Sequence, residues 1–96
     1  MSQEVLEPVR TDGSDAADRP WICRVLNDNH NTFEGVAFAL SSVIPGLGYD
    51  QGMALAVRID RTGSAVVWSG HRELAELYWG QLHAFGLTMA PLEQAP

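Results

Sequence analysis

The chain has one cysteine, Cys23, among 96 residues. An internal disulfide framework is therefore excluded, and a reducing compartment such as the cytoplasm fits. Basic residues are scarce, 6 against 12 acids, for a formal charge of -6. A phosphate backbone needs a cationic face, so a general nucleic-acid partner is not expected. No apolar run approaches the roughly 20 residues that span a bilayer, and Met1–Arg10 has no charged-then-apolar export layout, so no membrane partner is expected either. The G-x-G-x-x-G, P-loop, H-E-x-x-H and G-x-S-x-G patterns are all missing, as are the Cys/His spacings of structural zinc sites. Length allows one small domain at most.

Residues 1–19 are acidic, with Glu4, Glu7, Asp12, Asp15 and Asp18 against Arg10 and Arg19. Val5, Leu6 and Val9 belong to no periodic pattern, so this stretch is expected to be a flexible extension, either a solvated terminus or a handle for a partner. The folded core is expected over residues 20–96. Trp21–Leu26 is short, aromatic and β-branched, and reads as a strand with Trp21, Cys23 and Val25 on one side.

Asn31 followed by Glu34 has capping-box spacing and opens a first helix whose stripe is Phe33, Val36, Ala37, Leu40, Val43 and Ile44. Pro45–Gly48 stops it. A second helix is expected from about Asp50 to Arg58, burying Met53, Ala54, Val57 and Ala56. A turn at Arg61–Gly63 leads to a strand at Ser64–Trp68. Leu74, Leu77, Tyr78, Leu82 and Phe85 form the stripe of a third helix, which leaves Trp79 exposed, and Gly86 ends it. Leu87–Met89 reads as the last strand, closed by Pro91. The order β-α-α-β-α-β implies an α+β domain, a three-stranded antiparallel sheet with helices on one face.

Chemistry concentrates at Asn27-Asp28-Asn29-His30-Asn31-Thr32-Phe33, where the first strand hands over to the first helix. These oxygens can simply cap their own turn. They can also cage an ammonium, which has three donors and no acceptor, with Phe33, Val36 and Ile59 as apolar walls beside it. Cys23 beside His30 is a formal nucleophile–base pair, but a cysteine inside a strand is ordinarily a buried, inert thiol. His30, His71 and His83 show no ligand spacing, so no metal and no cofactor are expected, and the chain is not expected to be an enzyme.

The run Val25-Leu26-Asn27-Asp28-Asn29-His30-Asn31-Thr32-Phe33-Glu34 resembles the V-L-N-D-D-H-N-T-F motif of the ClpS family, adaptors of the ATP-dependent Clp protease. Gly63–Gly70, Glu73–Tyr78 and Gly86–Glu93 agree with the family in order, and the last block looks most like its cyanobacterial branch. The resemblance implies a three-strand, three-helix adaptor that binds proteins whose first residue is bulky and apolar (the N-degrons Phe, Tyr, Trp and Leu) and passes them to the N-terminal domain of the unfoldase ClpA or ClpC. Carried over by position, Asn27 and Asp28 hold the substrate α-amino group. Asn31, Phe33, Val36 and Ile59 form the side-chain pocket, with Met89 or its neighbour Thr88 completing it. Glu73 and Glu76 lie on the helix that meets the unfoldase.

Three positions depart from the family pattern. Asp60 stands where most relatives have a histidine that touches the amine, and an aspartate is the stronger, charge-assisted acceptor. Ala56 replaces a larger residue, often Met, at the pocket mouth, and Asn29 replaces the usual second Asp. Together they point to a diverged paralogue with shifted specificity. The alternative is a Clp-docking regulator that has lost N-degron binding.

Overall fold

The computed structural model describes residues 18–96. Most of the extension expected over 1–19 therefore lies outside the described residues. The order is β1 (Trp21–Leu26), α1 (Phe33–Val43), α2 (Tyr49–Thr62), β2 (Ser64–Gly70), α3 (Arg72–Ala84) and β3 (Glu93–Gln94). It is the expected β-α-α-β-α-β chain. The three strands form one sheet in the order β2-β1-β3, antiparallel throughout.

β1 is central. It pairs with β2 from Trp21↔Gly70 to Leu26↔Ser64, and the register shifts between Cys23 and Arg24. On one face Cys23, Val25, Ala65 and Val67 are buried. Against them pack Val36, Ala39, Leu40 and Ile44 of α1 and its cap, Ala56 and Ile59 of α2, and Ala75 and Leu82 of α3, with Leu87. No polar or charged residue is buried among the described residues. The small residues set the spacing. A Cβ at Gly52 of α2 would meet the backbone of Ala37 at 2.9 Å, so α1 and α2 touch nearly backbone to backbone there.

Several expectations about the elements are corrected. Thr32, not Asn31, caps α1: its hydroxyl accepts the Gly35 N–H at 2.9 Å. α2 continues past Arg58 to Thr62, and Gly63 ends it with φ 96°, its N–H returning to Ile59 O. The buried side of α2 is Gly52, Ala56 and Ile59; Ala54 and Val57 point outward and Met53 is half-buried.

The stripe of α3 is also turned from its expected phase. Leu74, Leu77 and Phe85 are 42–49% exposed, whereas Ala75 and Leu82 are buried. Ala75 lets the helix approach β1 closely enough for the Cys23 thiol to donate to its carbonyl at 3.3 Å. Trp79, expected outside, packs half-buried against the core, and its indole N–H donates to Ala90 O at 2.7 Å. A wide indole with a satisfied donor outweighs the leucines.

Leu87–Met89 forms no full strand. It contributes a single bridge, Val25↔Met89, flanked by Leu26 N–H to Thr88 O at 2.8 Å and Ala90 N–H to Arg24 O at 3.0 Å. Pro91 cannot donate, so the ladder breaks there and resumes at β3.

Candidate functional site

The turn between β1 and α1 is held from three directions. Asn27 N–H donates to Gly63 O at 2.9 Å, which ties the turn to the end of α2. Asp28 turns inward: its Oδ1 accepts from His30 N–H at 2.9 Å and Asn31 N–H at 2.8 Å. Its Oδ2 accepts from Asn31 Nδ2 at 2.8 Å and from the Thr88 hydroxyl at 2.7 Å. Asn31 Nδ2 also reaches Gly86 O at 3.0 Å. The Asn31 N–H, with the Thr88 hydroxyl, the Asn31 amide and the His30 N–H, holds the Asp28 carboxyl well below the usual carboxylate range against the opposing effect of partial burial.

Behind this turn lies a hollow of about 50 Å³. Val25, Val36, Ala56, Ile59 and Leu87 are its buried apolar lining. Phe33, 39% exposed, stands beside it in the first turn of α1. Asn27, Asp28, Asn31 and Asp60 also line it. The sequence-assigned residues Asn27, Asp28, Asp60, Asn31, Phe33, Val36, Ala56 and Ile59 are thus brought together. Met89 is not among the lining residues; it is half-buried in its bridge with Val25, and Leu87 occupies the place it was expected to fill. Leu87 was legible only as an apolar residue after Gly86, and periodicity placed it in a strand.

Electrostatics separates this hollow from two larger depressions, whereas a third, of about 290 Å³, is lined by Asp18 together with Arg19 and Arg72. The first two, at Pro45–Leu55 (about 380 Å³) and between Ser42 and Phe85 (about 490 Å³), are lined by no charged side chain. Neither can neutralise a cation. The Asp60 side chain is exposed and makes no hydrogen bond or ion pair among the described residues, so its carboxylate is available to a ligand.

Two other assigned residues lie elsewhere. Glu73 and Glu76 are exposed on α3, with Leu74 and Leu77 exposed beside them. Glu76 accepts from Arg72 Nε at 3.0 Å, and the Arg72 guanidinium sits 4.9 Å over the Trp21 ring. Cys23 is fully buried, and burial pushes its thiol up, the reverse of an activated nucleophile.

The family model for the ATP-dependent Clp protease adaptor protein ClpS matches residues 16–90. The chain belongs to the ClpS family. A ClpS adapter of Nostoc sp. is 51% identical over 71 residues, 74% of this chain and 73% of that protein. One from Synechocystis sp. is 49% identical over 71 residues, 74% of this chain and 72% of its own length. Among solved structures, ClpS2 of Agrobacterium tumefaciens bound to L-phenylalaninamide superposes with a TM-score of 0.74 at 25% identity, over 81% of this chain and 99% of that one. ClpS proteins are adaptors of the Clp protease, and the architecture found here is that of the ClpS fold. No helix of the described residues is long and apolar enough to cross a membrane.

Proposed function

We propose that this ClpS-family chain recognises proteins by a free, bulky, apolar N-terminal residue and delivers them in the cytoplasm to a Clp AAA+ unfoldase, ClpC or ClpA. The α-amino group is received at the rim formed by Asn27, Asp28 and Asp60. The first side chain enters the hollow between Asn31, Phe33, Val36, Ala56, Ile59 and Leu87. The acids Glu73 and Glu76, with Leu74 and Leu77 beside them, form the face offered to the unfoldase.

The observation that carries this reading is the Asp60 carboxylate, which makes no side-chain hydrogen bond or ion pair among the described residues, at the rim of a hollow whose buried lining is apolar. A free α-amine has a pKa of about 8 and is largely charged at neutral pH. Covering that charge demands an acceptor, and acetylation removes the charge and leaves a single N–H donor. The structural neighbour bound to L-phenylalaninamide supports the reading, since that molecule pairs a free α-amine with an aromatic side chain.

The hollow sets the size preference. A cavity of about 150 Å³ accepts benzene, so one of about 50 Å³ encloses only part of a bulky first side chain, whether aliphatic or aromatic. Burying the side chain contributes about 1.5–3 kcal/mol at roughly 25 cal/mol per Å². The preference among bulky first residues is graded, not absolute.

One observation favours the regulator reading: all four acceptor positions of Asp28 are occupied internally. Titrating a fluorescent peptide with N-terminal Leu, free and Nα-acetylated, separates the two. Micromolar binding of the free form alone supports the adaptor. No binding of either form at millimolar concentration, with unfoldase binding retained, establishes the regulator.

A further inference from the structure

Asp28 and Asn31 share a hydrogen-bond arrangement that decides which atoms face a ligand. An ionised carboxylate offers about four lone-pair sites. At Asp28, Asn31 N–H and His30 N–H take Oδ1, while Asn31 Nδ2 and the Thr88 hydroxyl take Oδ2. An arriving ammonium therefore has to displace a donor from Asp28 or find acceptors elsewhere.

The amide of Asn31 supplies one. Its Nδ2 directs two hydrogens to two acceptors, Asp28 Oδ2 at 2.8 Å and Gly86 O at 3.0 Å. Turning the amide over would set its oxygen against both of those oxygens, so the orientation is fixed. Asn31 Oδ1 is left without a donor among the described residues, on a side chain that lines the hollow. Asn27, Asn31 and Asp60 then offer three oxygen-bearing groups to the three hydrogens of an ammonium.

Thr88 controls this arrangement from 60 positions further along the chain. Its hydroxyl gives its single proton to Asp28 Oδ2, the same oxygen that orients Asn31. We infer that Thr88 is a positioning residue for amine recognition: by clamping Asp28 it fixes the Asn31 amide, whose Oδ1 joins Asn27 and Asp60 as an acceptor for the substrate ammonium. The inference rests on the N-terminal recognition proposed above. It makes Asp28 a strut and gives Asn31 a polar role that its place in the apolar lining conceals. It also predicts a particular defect. With the clamp gone Asp28 loses one of its four donors, the carboxylate and the Asn31 amide bound to it are held less firmly, and Asn31 Oδ1 is no longer fixed at the rim, so the ammonium of a free N-terminus loses more than an acetyl cap does.

The test is a ratio. A fluorescent peptide beginning with Leu, free or Nα-acetylated, is titrated against the wild-type chain, Thr88→Val and Thr88→Ser. Thr88→Val keeps the side-chain shape and should lower the free-to-acetylated affinity ratio about tenfold, the order expected for a lost hydrogen bond to a charged group. Thr88→Ser restores the hydroxyl and should return the ratio to near the wild-type value. A purely structural role would weaken both peptides together and leave the ratio unchanged, which would overturn the inference. Equal loss in Thr88→Val and Thr88→Ser would overturn it as well. Should Thr88→Val prove unfolded, Asn31→Leu removes the same oxygen at similar volume and should lose the same ratio; an unaltered ratio there refutes the assignment. A wild-type chain that binds neither peptide removes the recognition function and this inference together, whereas wild-type discrimination with unaffected variants removes the inference alone.

Discussion

Replacing Asp60 by Asn removes one negative charge from the rim and keeps nearly the same shape. Asp60 is exposed and makes no ion pair among the described residues, so the substitution breaks nothing inside the fold. The cost falls on the ligand. Two unit charges 4 Å apart interact by about 1 kcal/mol in water and about 4 kcal/mol at an effective dielectric of 20. For a solvent-facing carboxylate the lower part of that range applies, about 1–2 kcal/mol, which is roughly a 5- to 30-fold loss of affinity. Fluorescence anisotropy with a Leu-initiated peptide reads it directly. Salt supplies the second axis: the Debye length shrinks from about 10 Å at 0.1 M to about 3 Å at 1 M, so wild-type binding should weaken with added salt more steeply than that of Asp60→Asn. A companion, Asp60→His, should lose affinity as pH falls through about 6.5, where an imidazole gains charge beside the ammonium, while the wild-type chain stays level there. Should Asp60→Asn bind within twofold of wild type and with the same salt dependence, Asp60 is not the counter-charge and the reasoning fails.

Other outcomes test the fold and the second face. Asp28 has a lowered folded pKa, so its contribution to stability is fully present above the unfolded value of about 3.9 and declines as pH falls towards the folded one; thermal melts between pH 2 and 5 should show a flatter pH profile for Asp28→Asn, and an unchanged profile would contradict the strut. Gly52→Ala gains helix propensity of about 1 kcal/mol but sets a Cβ 2.9 Å from the Ala37 backbone; overpacking of about 1–3 kcal/mol should prevail and lower the melting midpoint, and a higher midpoint would refute the close approach of α1 and α2. Glu73→Lys with Glu76→Lys should weaken unfoldase binding in a pull-down or interferometry measurement and leave peptide affinity within twofold; the reverse pattern would move the docking face elsewhere.

Local chemistry made much of this molecule readable in advance. The strand at Trp21–Leu26, the polar turn after it and the left-handed glycine at Gly86 follow from residue type and short spacing. The phase of α3 does not. Periodicity favours Leu74 and Leu77, and only the sheet decides that Ala75 and Trp79 pack inward, through a thiol–carbonyl contact and an indole donor to partners outside the helix. The third strand was misplaced because pairing beside β1 is interrupted at Pro91, a tertiary fact. At the site, the composition of the rim was visible, yet the occupancy of Asp28 was hidden because its fourth donor, Thr88, lies 60 residues away.

That separation bears on how the receptor comes into being. Asn31 and Asp28 are gathered by Gly86 and Thr88 across 55 and 60 positions of sequence, contacts of the kind that close late because a long loop must first be drawn together. A ribosome-bound chain has its turn and first helix long before it has the residues that orient them. The site proposed above is therefore assembled only once residues 86–88 have been made, so a nascent chain that stops short of them lacks the contacts that orient it.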